Sequence, residues 1–265
     1  MADVSIVDHI RYVPDSRRLE GWGEADLDAI RASIRRGGVV VLRGAFEADV
    51  CRGIRRAVFD YFGAHPPSNP AVTATTPNHW RLDDNPEKAA VKRVNQFFSS
   101  FYWNDDLAGE KPLLQAMSRF KHRVARLPET FTISGIEDAY VTYPTITHYP
   151  RGGGRLNRHT DPKNIQSCVI LASLSARGVD YGSGGLCVEQ DGEAVDIDGQ
   201  LRTGDIYLMN PQTVHGVSPI DADAGPPAWH DERGRWTLFP SLVELETTRG
   251  VKVAGLTDLG DMPAR

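Results

Sequence analysis

The stretch "RHTDPKNIQSCVILASL", residues 158–174, sets an H-x-D tripeptide ahead of a run of β-prone apolar residues. "SCVILASL" reads as a short buried strand. In extended chain, residues i and i+2 point to the same face, so His159 and Asp161 can aim one nitrogen and one oxygen at a common point. An H-x-D tripeptide arises by chance about once in a chain like this, and an ordinary polar turn would look the same. The similar His230-Asp231-Glu232 reads as loop.

Working outward, the same texture continues on both sides. "AYVTYPTITHYP" (139–150), "GGLCVEQ" (184–190), "DIYLMN" (205–210), "TVHGV" (213–217) and "RWTLFPSLVEL" (235–245) are short β-rich runs separated by Gly, Pro, Asp and Asn. Many short strands with such turns suggest a sandwich, a jelly roll or a barrel. The first half is different. "EADLDAIRASIRR" (24–36) carries Leu27, Ile30 and Ile34 at helical spacing and ends at Gly37-Gly38. "VVVLR" (39–43) reads as a strand, while 46–62 and "KPLLQAMSRFKHRVARL" (111–127) return to the helical period. Residues 64–86 contain five prolines and read as a long loop. The expectation is a single unit, mainly β with α. Residues 1–137 would form a mixed α/β, helical N-terminal cap, 138–248 the β core, and 249–265 a tail.

The net charge of −5 argues against a dedicated nucleic-acid binder. Three widely spaced cysteines, with no C-x-x-C, give no disulfide framework or zinc-finger pattern and suit a reducing compartment. No apolar run approaches the roughly 20 residues that span a bilayer. The opening "MADVSIVDHIRYVPDSRR" has no apolar core of signal-peptide length. A cytoplasmic protein with no membrane and no nucleic-acid partner is expected.

Context raises the weight of His159 and Asp161. About fifty residues on, "LMNPQTVHGVSP" carries His215 in another β run. Two imidazoles and one carboxylate form a set that suits Fe(II) and leaves open positions on one side. Arg235 opens the last apolar strand, where a guanidinium fork could meet the far end of a dicarboxylate. Thr237, two residues on, shares its strand face and could add a hydroxyl.

At these residues the sequence resembles the Fe(II)/2-oxoglutarate-dependent dioxygenase superfamily, most closely its isopenicillin-N-synthase-like branch. The matching pieces run in order: "HYP" (148–150), "HTDP" (159–162), "GGLCV" (184–188), "GDIYLMN" (204–210), "VHGV" (214–217) and "RWT" (235–237). The resemblance implies a double-stranded β-helix (jelly roll) core with a helical N-terminal cap. It implies His159, Asp161 and His215 as iron ligands, Arg235 on the C5 carboxylate of 2-oxoglutarate, and Tyr149 as a further contact to it. The cofactors implied are Fe(II), 2-oxoglutarate and O2, with succinate and CO2 released. The retained carboxylate at Asp161 disfavours halogenation. The segment between His215 and Arg235 is longer than usual for the family, with "DADAGPPAWHDERG" resembling an insertion, which makes Arg233 a rival to Arg235.

The expected substrate is a small polar molecule, with hydroxylation the default and desaturation, cyclisation or epimerisation open to the same oxidant. In such enzymes the N-terminal cap often covers the metal face. Trp80, Arg81, Phe97, Tyr102, Trp103 and Asn104 are therefore candidate pocket residues, with core packing the alternative for each aromatic. Arg81, Arg155 and Arg158 could meet an anionic substrate group. "GGGR" (152–155) lacks a phosphate loop's context and reads as a flexible turn. Two other classes remain: a cupin-like isomerase or hydrolase that does not use 2-oxoglutarate, and a non-enzymatic jelly-roll binding module.

Overall fold

Helical period becomes helix where an apolar stripe can be buried. The computed structural model describes residues 9–12, 19, 21–84, 92–129, 140–161, 168–190 and 192–244. In chain order it has β1 (His9–Tyr12), α1 (Glu24–Arg35), β2 (Val40–Arg43), α2 (Ala48–Ala64), β3 (His79–Asp83) and β4 (Arg93–Ser99). There follow α3 (Glu110–Ala125), β5 (Tyr140–Pro150), β6 (Gly154–His159), β7 (Val169–Ser173) and β8 (Gly185–Gln190). The last elements are β9 (Glu193–Asp196), a 3-10 turn at Asp198–Gln200, β10 (Ile206–Met209), β11 (His215–Ile220), a 3-10 turn at Ala222–Ala224, and β12 (Gly234–Glu244). The segment expected as a tail, 249–265, lies outside the described residues.

The strands form one curled path in the order β1-β2-β10-β7-β12-β5-β4-β6-β11-β8-β9, with β3 paired to β4. Strands β10, β7, β12 and β5 make one wall of the roll and β6, β11, β8 and β9 the other. The pairing is antiparallel throughout except β1 with β2. This is the jelly-roll core expected from the sequence. Alternation sorts each strand of the large wall into two faces. On β12, Trp236 and Leu238 point outward and are fully buried, while Arg235 and Thr237 point into the roll.

The outward face is covered by the helices. Phe62 of α2 stacks on Trp236 at 6.0 Å, and Phe59 meets His148 edge-on at 6.3 Å. Leu27, Ile30 and Ile34 of α1 and Met117, Phe120 and Val124 of α3 join the same core. Each such side chain contributes about 1.5–3 kcal/mol when fully buried. The α2 N-terminus has no side-chain cap, so packing rather than capping carries it. Arg31 ties α1 to α3: it donates to the carbonyls of Val124 (2.8 Å) and Arg123 (2.7 Å) at the α3 C-terminus and pairs with Asp28.

Two expectations change here. The helices back the outer face of the large wall and do not cap the metal face, because their apolar stripes match the outward residues of β5 and β12. The proline-rich segment is not loop throughout. Within it "HWRLD" (79–83) forms β3, which pairs with β4 from His79↔Ser99 to Asp83↔Asn95. Strand β4 in turn bridges the two walls, pairing with β5 over Gln96–Ser99 and with β6 at Arg93 and Val94. The N-terminal half is thus part of the sheet itself.

Candidate metal centre and its cavity

His159 ends β6 and His215 begins β11, and the two residues are register partners. Their rings lie 4.4 Å apart, centroid to centroid. Asp161 follows two residues after His159 and is held by backbone bonds: its N–H donates to Pro211 O (2.8 Å) and its own carbonyl accepts from Gln212 Nε2 (2.8 Å). Asp161 Oδ1 is 3.6 Å from His159 Nε2, and Oδ2 is 3.7 Å from His215 Nε2. These separations exceed hydrogen bonds, so the three groups converge on a point without bonding each other. One ligand atom from each lies within 4.8 Å of the others.

Both rings are oriented by their far nitrogens. His159 Nδ1 meets Asn157 O at 3.0 Å and His215 Nδ1 meets Thr213 O at 2.9 Å. A proton held at Nδ1 leaves the Nε2 lone pair facing Asp161, the outer-shell arrangement that metal-binding histidines use. Burial alone would lower His159, but the Asp161 carboxylate raises it above the ordinary histidine value. His215 is more deeply buried and is held below it by that burial. Burial works against ionised Asp161, yet the two imidazoles hold its carboxyl below the usual range.

A β-bulge sets this geometry. Between β6 and β11 the register runs His159↔His215 and then Leu156↔Val217, three residues against two. The extra residue shifts the side-chain phase, so that Leu156 and His159 both face the cavity. Arg158 is turned outward instead, half exposed and paired with Glu189 at 3.1 Å. It does not line the cavity, and Arg155 likewise lies in a groove on the outer side of the small wall.

The cavity holds about 260 Å³ and is lined by His159, Asp161, His215, Tyr143, Tyr149, Tyr207, Arg235, Thr237 and apolar side chains from both walls. That is slightly below the roughly 300 Å³ at which pockets for drug-sized ligands begin. Arg235 is 3 % exposed and aligned with Tyr149 across β12 and β5. Its Nε donates to Asp198 Oδ2 (2.6 Å) and its Nη2 to Asp198 Oδ1 (3.1 Å) and Tyr207 Oη (3.1 Å). Tyr181 Oη closes the network on Asp198 at 2.6 Å. Burial opposes the Arg235 charge, but Asp198 holds it well above its ordinary value. Among the described residues no bond engages Arg235 Nη1. Thr237 Oγ1 shares a 2.6 Å bond with Thr147 Oγ1. Burial pushes the Tyr149 phenol up, with Arg235 acting in the opposite direction. Arg233 is exposed and pairs with Asp231, outside the cavity.

The remaining candidates divide. Trp80 faces the helices, packs on Phe62 at 4.8 Å and donates to His65 O, so it is core. Trp103 and Asn104 both donate to Thr76 O and brace a loop. Tyr102 lies edge-on to Trp103 and does not line the cavity. Arg81 and Phe97 lie on the inward face: Arg81 sits 3.9 Å above the Phe97 ring, which meets cavity-lining Phe239 edge-on. Sequence reasoning missed Asp198, Tyr207 and Tyr181.

Comparison with known families and with curated proteins finds no match. The fold is similar to solved structures. A Pseudomonas putida prolyl-4-hydroxylase is 16 % identical with a TM-score of 0.52, over 83 % of this chain and 99 % of that one. A Trichoplax adhaerens prolyl hydroxylase, solved with a hypoxia inducible factor peptide, is 14 % identical with a TM-score of 0.53, over 85 % and 91 %. These likenesses establish the fold and lend no support to the narrower branch suggested by the sequence. Among the described residues no helix is long and apolar enough to cross a membrane.

Proposed function

We propose that this chain is an Fe(II)- and 2-oxoglutarate-dependent oxygenase acting on a small polar molecule. The carrying observation is the convergence of His159, Asp161 and His215 in a cavity whose wall also holds buried Arg235. Two imidazoles and one carboxylate are a fitting donor set for Fe(II). His159 Nε2, His215 Nε2 and an Asp161 oxygen would hold the ion, and both Nε2 atoms are already freed by the Nδ1 contacts. Arg235 would grip the far carboxylate of 2-oxoglutarate through Nη1, with Thr237 and Tyr149 beside it. When bound, Fe(II) with 2-oxoglutarate and O2 supplies an oxidant able to break a C–H bond, releasing succinate and CO2. The protein's part is to fix positions and exclude water. Leu156, Val169, Leu186, Met209 and Val217 give the cavity apolar walls for that purpose. Hydroxylation is the reaction we favour.

The test is an anaerobic titration with Fe(II) and 2-oxoglutarate, following the weak visible charge-transfer band. The band should vanish in His215→Ala and weaken in Arg235→Ala. A normal band in both variants removes the assignment.

One observation favours a second reading, a metalloenzyme of the same fold that does not use 2-oxoglutarate. Arg235 already carries a carboxylate on two of its nitrogens, Asp198. Succinate formation from 2-oxoglutarate with Fe(II) and O2 separates the two: its absence, with metal bound, supports the second.

A further inference from the structure

Strands β3 and β4 put a cationic group beside the cavity. Register and alternation fix which of their side chains face inward. Arg93 is the partner of Leu156, which lines the cavity, so Arg93 shares that face. Asn95, Phe97 and Ser99 follow at intervals of two, and on β3 Asp83 and Arg81 are the partners of Asn95 and Phe97. Arg81 Nε lies 3.0 Å and Arg93 Nε 2.8 Å from the same oxygen, Asp83 Oδ2. The Arg81 contact is a hydrogen bond, whereas Arg93 Nε is buried and not aligned to make one. Two guanidiniums therefore share one carboxylate, leaving one positive charge uncompensated among the described residues.

Three further facts connect this group to the cavity. Arg81 acts electrostatically on Tyr143 and Arg93 on Tyr149, and both tyrosines line the cavity. Arg81 is fixed over Phe97, which touches the cavity wall at Phe239. Asn95, only 2 % exposed, has its side-chain amide against the Tyr149 phenol of the cavity wall and keeps a buried Oδ1 with no donor among the described residues. A buried acceptor without a partner costs about 1–3 kcal/mol, so a donor supplied from outside would be rewarded.

We infer that Arg81 and Arg93 bind the carboxylate of the substrate, and that the substrate is a small carboxylic acid with an N–H or O–H donor for Asn95 Oδ1. This rests on the oxygenase reading only for the fate of the ligand, not for its binding. One negative charge matches the single surplus positive charge. A phosphate dianion would leave a negative charge unbalanced in a half-buried site, which is unfavourable. The arginine forks suit the planar carboxylate, and the Arg81 fork is already oriented by Phe97 and Asp83.

Calorimetric titration of the anaerobic protein with Fe(II) and 2-oxoglutarate present tests this, because Arg235 and the metal cluster are then engaged. The probes are two acid–amide pairs: N-acetylglycine with its primary amide, and 3-phenylpropionate with 3-phenylpropanamide. Each acid should bind at least about 10-fold more tightly than its amide, as expected for charge-assisted pairing. The preference should fall in Arg81→Gln and in Arg93→Gln, vanish in the double variant, and partly survive in Arg81→Lys. Acids and amides that bind alike, acids that do not bind, or a preference that persists in the double variant would each overturn the inference. The acid–amide ratio is read first on the unaltered protein, so a variant that fails to fold does not shelter it. Repeating the titration without iron or 2-oxoglutarate separates the two proposals. A preference that depends on Arg81 and Arg93, in a protein that shows no charge-transfer band when Fe(II) and 2-oxoglutarate are added, sinks the oxygenase reading and leaves the acid site standing.

Discussion

Asp198 grips Arg235 along one edge, Nε to Oδ2 at 2.6 Å and Nη2 to Oδ1 at 3.1 Å, inside the cavity that also holds the histidine–aspartate cluster. The two side chains are 2 % and 4 % exposed, so neither charge is tolerable alone. Removing one partner of such a pair typically costs about 3–5 kcal/mol. Asp198→Ala should therefore lower the midpoint of thermal unfolding sharply. If 2-oxoglutarate docks on Arg235, it should restore more stability to Asp198→Ala than it adds to the parent protein. Equal shifts in the two proteins would place the cosubstrate elsewhere.

Gly185 sits against the same carboxylate. Its φ is +118°, and a Cβ there would overlap the Asp198 side chain. Gly185→Ala should cost at least about 1–2 kcal/mol through the backbone alone. It should also weaken 2-oxoglutarate binding by pushing Asp198 against Arg235, as read by the charge-transfer titration. Unchanged affinity would show that Asp198 does not position the arginine.

Metal removal has its own signature. A ligand that binds only the folded state stabilises it by about 2.7 kcal/mol at 100 times its dissociation constant. Fe(II) added anaerobically should raise the unfolding temperature of the parent protein and leave that of His159→Ala or His215→Ala unmoved. A chelator should reverse the rise. A rise of the same size in both variants would break the ligand assignment.

Acid should unfold the chain through its core histidines. Burial between the sheet and α2 drives His148 down from 6.5 to about 3, and burial likewise drives His122 to about 4. Both are neutral in the folded state and protonate in the unfolded chain near pH 6.5, so their stabilisation is complete above that pH. It is lost as the pH falls through 6.5 towards 4 and 3, at up to about 1.4 kcal/mol per pH unit for each. Urea unfolding from pH 7.5 to 5 should show this slope, and His148→Gln should flatten it. An unchanged slope in that variant would assign the loss to other groups.

Much of the site was legible because its chemistry is local in sequence. H-x-D needs only two residues of extended chain, and His215, Arg235 and Thr237 stand in recognisable β runs. What escaped notice depends on long-range pairing. Asp198 lies in a short turn with no pattern to mark it, and its role exists only because that turn packs 37 residues away against Arg235. Arg158 reads as a possible anion contact from its charge alone; as the strand neighbour of His159 it faces the opposite side, and its pairing with Glu189 is a tertiary fact. β3 was hidden by the prolines before it, and Trp80 read as pocket wall because the side of the sheet the helices occupy is a tertiary fact.

The bridging position of β4 makes the two halves of the chain mutually dependent. A polypeptide beginning at residue 138 would expose raw hydrogen-bonding edges on β5 and β6 together, and such edges invite association with other chains. The same junction gives evolution a place to work. Exchanging the β3–β4 hairpin would alter the acid-binding wall while leaving the histidines and Asp161 on their own strands, so ligand choice and metal chemistry can diverge independently within one closed scaffold.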